Sequence, residues 1–295
     1  MIFLLLCCQQ VKAQDSSKKY KGYVLSSVVI ADLNNGFDVD KFITRVQRDS
    51  TFYKAFKTLS LVGFTQYNDI RFYTKSGKTK DYYSSISRQE VDGKCRTMQN
   101  SDEKYSKGYY TEKGKPRHIT SKFYERLFMI DEKTCGEDNI VNGKLSADEN
   151  KRINQLKELV FKPGESIQGV PGVGAKVGIF EDERKEQYNF SIEKVLYNGD
   201  WCYVFKAAPK KEFEKNNVIN YLNSWVRIKD KAIVQRKYSL SYKTLLYDFN
   251  VQMDVKLKTL KDLLVPYEVY YKGNWHFLGK KREIAEFTTL ITDFK

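Results

Sequence analysis

Ten residues in the last sixth of the chain, 249–258, alternate between apolar and polar side chains without interruption. The apolar members are Phe249, Val251, Met253, Val255 and Leu257. Because successive side chains of a strand point to opposite faces, this period of two predicts a strand with one buried and one solvated face. An antiparallel sheet commonly covers one face in this way, whereas a parallel sheet buries both. The pattern therefore predicts a curved or open antiparallel sheet over an apolar interior.

Most of the remaining chain also has the pattern of a β protein, with 21 Tyr and 18 Phe among its 295 residues, a bias that suits strands. Strands are predicted at 61–73, 82–90, 188–192, 201–205, 221–228, 232–242, 246–257, 265–271 and 283–294. Asn198-Gly199 is a hairpin signal, a second hairpin is predicted around Tyr109-Tyr110 with its turn at 112–115, and further turns are predicted at 229–231 and 272–274. Strands joined in order by tight turns make an up-and-down sheet.

A few helices interrupt this pattern. Apolar residues at helical spacing predict two short helices, or one bent helix, over 39–59, and a third over 120–128. Ser146 and Glu149 have the spacing of a capping box, and the helix that they open should end before Pro163. The fold class is therefore α+β, mostly antiparallel β.

The N-terminus predicts export. Residues 2–6 are apolar and are followed by Val11-Lys12-Ala13-Gln14, which is typical of a secretory signal removed near residue 14. The basic residues that usually open a signal are missing, which suggests an initiator Met upstream. A buried N-terminal strand is the alternative, and a lipid anchor at Cys7 or Cys8 is a further one.

The net charge is +14, from 51 Lys and Arg against 37 Asp and Glu. In an exported protein such a charge favours anionic partners, such as an anionic membrane surface or lipopolysaccharide. The densest basic segments, 75–80 and 206–215, are more typical of solvated turns than of binding patches. Export argues against nucleic acid as a partner.

Three cysteines follow the predicted signal: Cys95, Cys135 and Cys202. In an oxidising compartment an odd number allows one disulfide and one remaining thiol. Cys95 with Cys135 is the preferred pair because both lie in the same half of the chain. Cys202 lies between two aromatic residues in a predicted strand, where a buried inert thiol is expected.

Motifs for specific chemistry are weak. The glycine-rich segment 169–178 is similar to the hairpin of helix-hairpin-helix DNA-binding domains, but it lacks the second helix, so a structural loop is expected. Residues 32–40 place oxygen ligands at alternate positions, but the glycine is misplaced for a calcium loop, so a helix-capping turn is expected. His118 and His276 are far apart, and no pair of acids or nucleophile with a base stands out. We therefore predict no catalytic residue, no metal site and no cofactor.

The order of features from Trp225 onward resembles the C-terminal half of the LolA/LolB-like lipoprotein-carrier superfamily, including Bacteroidetes envelope proteins. The matching segments are SWVRIKDKAIVQRKY, YDFNVQMDVKL, LVPYEVYYKGNWHF and REIAEFTTLITDF. The residues that match in type and order are Trp225, Val226, Arg236, Tyr238, Pro266, Tyr267 and Tyr270.

That resemblance implies a curved half-barrel-like sheet with covering helices, which binds acyl chains or another lipid in the cell envelope. The expected domains are a signal at 1–14, an N-terminal tail at 15–36 and one LolA-like β-rich domain at 37–295. The ligand would be a lipid or lipid-modified molecule, held by Phe249, Val251, Met253, Val255 and Leu257. Two alternatives remain: these side chains form a dry core, or the protein is a non-catalytic envelope scaffold that binds a polyanion or a protein through its basic, Tyr-rich surface.

Overall fold

The computed structural model describes residues 18–130, 133–136, 161–165, 173–244, 247–277 and 281–295. The predicted signal, the predicted capping-box helix after Ser146 and residues 169–172 of the glycine-rich segment lie outside these ranges.

The described strands form a single sheet of thirteen, which is mostly antiparallel. They are β1 Lys18–Tyr20, β2 Tyr23–Leu25, β3 Phe64–Tyr73, β4 Thr79–Asp92, β5 Cys95–Tyr105, β6 Thr134–Cys135, β7 Tyr188–Tyr197, β8 Asp200–Pro209, β9 Ile219–Arg227, β10 Ile233–Lys243, β11 Tyr247–Leu260, β12 Leu263–Phe277 and β13 Glu283–Thr292. Their order in space is β1-β2-β7-β8-β9-β10-β11-β12-β13-β3-β4-β5-β6. Neighbours are antiparallel except β2 and β7, which are parallel.

The up-and-down order predicted for the second half of the chain is confirmed, since β7 to β13 are adjacent in sequence order. Pairing of the last strand, β13, with β3 then joins this half to the N-terminal strands. Because β1 and β6 are the two edges of the order, the sheet is open. The predicted class, α+β with an open half-barrel-like sheet and covering helices, is confirmed.

Short helices accompany the sheet in the described residues. They are α1 Ser27–Asn34, α2 Val39–Gln47, α3 Thr51–Thr58, α4 Ile119–Phe128, α5 Gly174–Val177 and α6 Asp182–Lys185, with 3-10 turns at Leu59–Leu61 and Lys211–Phe213. The Asp38 carboxylate caps α2 by accepting the Lys41 N–H at 2.9 Å, so the predicted helix-capping turn is confirmed. Phe42, Ile43 and Val46 form the buried stripe of α2.

The segment predicted as an N-terminal tail takes part in the fold from residue 18 onward. β1 and β2 form a hairpin, and β2 pairs with β7 at the edge of the large sheet. Val29 of α1 is fully buried in the core. The apolar run 23–31 therefore divides into a strand and a helix.

Two local predictions need correction. The predicted turn at 272–274 is wrong, because β12 continues through Gly273, which pairs with Val251 on one side and Ala285 on the other. Lys272-Gly273-Asn274 has the composition of a turn, but a glycine can also lie inside a strand when the sheet continues on both sides of it.

The predicted hairpin around Tyr110 also needs correction. This region is a tight loop closed by one bridge between Tyr110 and Pro116, and the loop lacks the two strands of a hairpin.

The predicted disulfide is confirmed: Cys95 of β5 and Cys135 of β6 are paired across the sheet edge and bonded. Cys202 is buried and free, and burial raises the pKa of its thiol to about 11. The predicted burial of this free thiol is confirmed, and a raised pKa disfavours the reactive thiolate. Within the described residues no helix has the length and apolar character needed to cross a membrane.

The candidate site on the inner face of the sheet

The five apolar residues of the opening pattern lie side by side on the inner face of β11. They are only 0–5% exposed and belong to the main core cluster. Asn250, Gln252 and Lys258 on the other face are exposed. The predicted two-sided strand is confirmed, and we call Phe249, Val251, Met253, Val255 and Leu257 the inner strip.

Residues of the two neighbouring strands extend the inner strip sideways. Met253 lies between Tyr238 of β10 and Tyr271 of β12, and Val255 lies between Arg236 and Val269. Because directly opposed side chains in an antiparallel sheet are in contact range, the three strands form one surface.

Helix α3 covers this surface. It packs against β12 and β10, and it buries Phe52, Ala55 and Phe56. The Phe56 ring is 4.8 Å from Phe161, centroid to centroid. The inner strip therefore lies in a core that α3 helps to cover from the side of β10 and β12.

One end of the inner strip depends on a glycine. The Phe249 ring is 5.2 Å from the Trp275 ring, whose Nε1 donates to the Tyr271 hydroxyl at 2.5 Å. Gly273 lies between these two aromatic residues, and a Cβ there would be 2.0 Å from the hydroxyl oxygen. The glycine therefore leaves the space in which the Tyr271 and Trp275 side chains meet.

A buried cation borders the inner strip. Arg236 is 4% exposed, and its Nε donates to Ser224 at 3.2 Å. Its guanidinium lies 4.8 Å from the Phe52 ring centroid and 3.9 Å from the Asp49 carboxylate. Burial lowers the pKa of Arg236, and the Asp49 charge opposes that shift. The cation thus connects β10 to the start of α3.

The same Asp49 carboxylate caps α3. It accepts the N–H groups of Thr51 and Phe52 at 3.2 and 3.1 Å. One side chain therefore both starts the covering helix and faces the buried cation beneath it.

The other flank of the inner face is polar. Tyr124 of α4 hydrogen-bonds to Asn68 of β3 and, at 2.8 Å, to Thr289 of β13. The Asn68 amide donates to Ser85 and Ser87 at 2.9 Å each. These buried polar groups satisfy one another, and they interrupt the apolar inner face, which resumes at Ile70 and Phe72 of the same strand.

The start of α4 holds a charged cluster that sequence reasoning missed. His118 Nε2 lies 3.0 Å from Asp81, its Nδ1 lies 3.6 Å from Glu283, and its ring stacks on Phe72 at 3.9 Å. Glu283 also accepts the N–H groups of Ile119 and Thr120 at 2.9 and 2.8 Å. Burial raises the pKa of Glu283, but the hydrogen bonds outweigh it and hold this pKa below the ordinary value.

No signal in the sequence could have found this cluster, because its members are up to 202 positions apart, from Asp81 to Glu283. The cluster fastens α4 to β4 and β13. In the described part of the chain, no group of three or more His, Cys, Asp or Glu side chains has the arrangement of a metal site. His276 lies elsewhere, 3.7 Å from Asp248.

Comparison with known proteins gives distant structural likenesses. No family model matches the chain, and no curated protein matches it. A DUF1329 family protein from Desulfovibrio piger shares 9% identity at a TM-score of 0.24, over 83% of this chain and 93% of that chain. A "putative outer membrane lipoprotein-sorting protein domain" from Vibrio parahaemolyticus shares 10% identity at a TM-score of 0.26, over 86% of this chain and 90% of that chain. At these TM-scores we transfer no residue role from either structure.

Proposed function

We propose that this protein is an exported, non-catalytic cell-envelope protein that binds a lipid or another apolar ligand between the inner face of its sheet and α3. The observation that supports this most is the enclosed apolar surface of β10, β11 and β12, which short helices rather than a second sheet cover. Short helices can shift without breaking a strand ladder, so this cover is the part of the core that can open.

Apolar contact alone could supply the binding free energy at such a site. Transfer of an acyl chain from water to an apolar surface gains ~0.8 kcal/mol per methylene, so a chain of ordinary length offsets a moderate cost of opening. The inner strip would contact the chain, and the polar flank around Asn68 would limit it on one side. The disulfide suits an oxidising compartment, in agreement with the proposed export.

The test is native mass spectrometry of protein isolated from its own envelope, followed by photolysis with a diazirine fatty acid and mapping of the labelled peptides. We expect co-purified lipid and labels on the β11 peptide. Protein without lipid, together with labels only outside β10, β11 and β12, would make the inner strip a dry core.

A near-isosteric variant separates binding from folding. Val251→Thr with Val255→Thr places hydroxyls in the inner strip at almost unchanged volume, so lipid occupancy should fall. Each buried hydroxyl also costs about 1–3 kcal/mol, so near-UV circular dichroism and urea unfolding first establish that the variant is folded. Asn250→Thr with Gln252→Thr makes a matched change on the solvated face and should leave occupancy unchanged. Equal occupancy in the two variants would count against the inner strip.

A second candidate function is that of an envelope scaffold that binds a polyanion. It is favoured by the net charge of +14 and by tyrosines that are strongly exposed on the sheet, Tyr67, Tyr82 and Tyr105 at 44%, 42% and 52%. Titration with heparin at increasing salt concentration measures polyanion binding directly. If basic side chains neutralise the anionic groups of heparin, the affinity should fall steeply as the salt concentration rises. A flat salt dependence would remove this candidate.

A further inference from the structure

Beside α2 the surface opens into a groove of about 940 Å³, a volume within the range of small-molecule sites. Its lining comes from the α1–α2 loop, α2, the start of α3, Tyr203 of β8 and Lys231 of the β9–β10 turn. None of these residues belongs to the inner strip, so the groove is a separate feature of the molecule.

Three aromatic side chains form an apolar wall of the groove. The Phe37 ring lies 4.1 Å from Tyr203 and 5.5 Å from Phe42, and Phe42 lies 5.6 Å from Tyr203. Phe42 and Tyr203 are buried, while Phe37 is half-buried and lines the opening. A groove wall of this kind suits the apolar part of a ligand.

The apolar surface continues beyond the wall. Trp201 is two residues from Tyr203 along β8 and is 53% exposed. Lys194 lies 5.7 Å from its ring centroid and 3.0 Å from Asp32 in the groove. Leu196, directly opposite Trp201 in the sheet, is 62% exposed.

The four carboxylates that line the groove are already engaged by the protein. Asp32 accepts the Tyr203 hydroxyl at 2.8 Å as well as pairing with Lys194, and Asp40 pairs with Lys21 at 2.5 Å. Asp38 and Asp49 cap α2 and α3. Their charges are therefore largely compensated within the molecule.

Two of the cations on the groove, Arg45 and Arg48, are not compensated in the same way, whereas Lys41 pairs with Asp38 at 3.3 Å. Lys41 and Arg45 of α2 and Arg48, the residue at its C-terminal cap, follow one another at spacings of four and three. This spacing places all three on one side of the helix, and all three line the groove. Of the described residues, none forms an ion pair with Arg45 or Arg48. An aromatic wall and two guanidinium groups that line the same groove complement a molecule with an apolar chain and an anionic head.

We propose that the α2 groove binds a single-chain anionic amphiphile, with its chain on Phe37, Phe42 and Tyr203 and its anionic head at Arg45 and Arg48. This site does not depend on the inner strip, because the two have no lining residue in common. Either one can fail while the other holds.

The experiment is a titration of the full chain with monomeric oleate, with monoolein as the uncharged analogue of the same acyl length. Arg45→Gln with Arg48→Gln should weaken oleate binding about tenfold or more, which corresponds to about 1.4 kcal/mol, and leave monoolein binding unchanged. Lys113→Gln with Lys115→Gln removes the same charge from an exposed turn outside the groove and should change neither. Phe37→Ala should weaken both ligands.

Three results would overturn the proposal. The first is equal oleate affinity in the arginine and lysine variants. The second is no binding of monomeric oleate to the folded chain. The third is binding only to phosphatidylglycerol vesicles, which would make the groove a membrane-surface contact. Photolabelling with the diazirine fatty acid separates this site from the inner strip, because it should label α2 peptides even if β11 is unlabelled.

Discussion

Single residues decide how tightly the inner face closes, and Gly273 is the clearest example. We expect Gly273→Ala to destabilise the protein by about 1–3 kcal/mol, because its Cβ would meet the Tyr271 hydroxyl. That ring cannot easily move, since it is buried and stacks on Phe287 at 4.8 Å. Urea unfolding measures the loss, and the double variant Gly273→Ala/Tyr271→Leu, which removes both the hydroxyl and the Cζ atom that would lie 2.4 Å away, should lose less than the sum of its single changes. Additive losses would show that the Tyr271 ring is not the obstacle.

Glu283 gives the protein a pH dependence at acid pH. Because its folded pKa is below the ordinary value of 4.5, its stabilising effect is complete above that value and is lost as the pH falls through the folded pKa. Glu283→Gln should cost about 1.5–3 kcal/mol at pH 7 and less at pH 3 than at pH 7, because the carboxylate is progressively protonated as the pH falls below 4.5. Unfolding of both proteins at the two pH values measures this.

Glu193→Gln is the control for that series, because Glu193 pairs with Lys206 at a half-exposed site and should contribute little at either pH. An equal cost of Glu283→Gln at both pH values would show that its charge does not stabilise the start of α4.

At the scale of elements, the connection between α3 and β10 depends on Asp49. Asp49→Ala removes the cap of α3 and leaves the Arg236 cation buried without its nearest carboxylate, so we expect a loss of about 3 kcal/mol or more. Arg236→Met should cost less, because the Asp49 carboxylate keeps the Thr51 and Phe52 N–H donors and an apolar side chain of similar length can pack against Phe52. Thermal unfolding of the two variants and of the double variant measures the coupling.

Asp38→Ala is the matched control for the cap, since Asp38 caps α2 at the surface with no buried cation beside it. If Asp38→Ala and Asp49→Ala cost the same, the pairing of Asp49 with Arg236 contributes nothing.

At the scale of the whole molecule, the disulfide holds one edge of the open sheet. β6 is only two residues long and pairs with β5 at Cys95 and Arg96, so its strand pairing is short. The bridge closes a loop with a sequence separation of 40, and Cys95→Ser with Cys135→Ser should lower the free energy of unfolding by about 2–4 kcal/mol. Chemical unfolding with and without reductant measures this.

Cys202→Ser is the control for the bridge, because the Cys202 thiol is buried and outside the disulfide. In that variant the effect of reductant should persist in full. A response to reductant that vanishes with Cys202 would place the redox-sensitive bond elsewhere.

The sequence by itself determined those strands and helices whose residue pattern lies within the element. The period of two over 249–258 was enough for β11 and its buried face, and apolar spacing was enough for α2, α3 and α4, because each pattern lies within one element. The pairing of Cys95 with Cys135 was also within reach, as the chain offers few alternatives in an oxidising compartment.

Only the tertiary structure decided the features that depend on distant partners. Gly273 has the local signal of a turn, yet it continues a strand because Val251 and Ala285 pair with it from both sides. The cluster of Asp81, His118 and Glu283 and the buried position of Arg236 arise from residues that the fold brings together. Local patterns fix which face of an element is apolar, whereas the packing of elements fixes which polar groups meet and where a groove remains open.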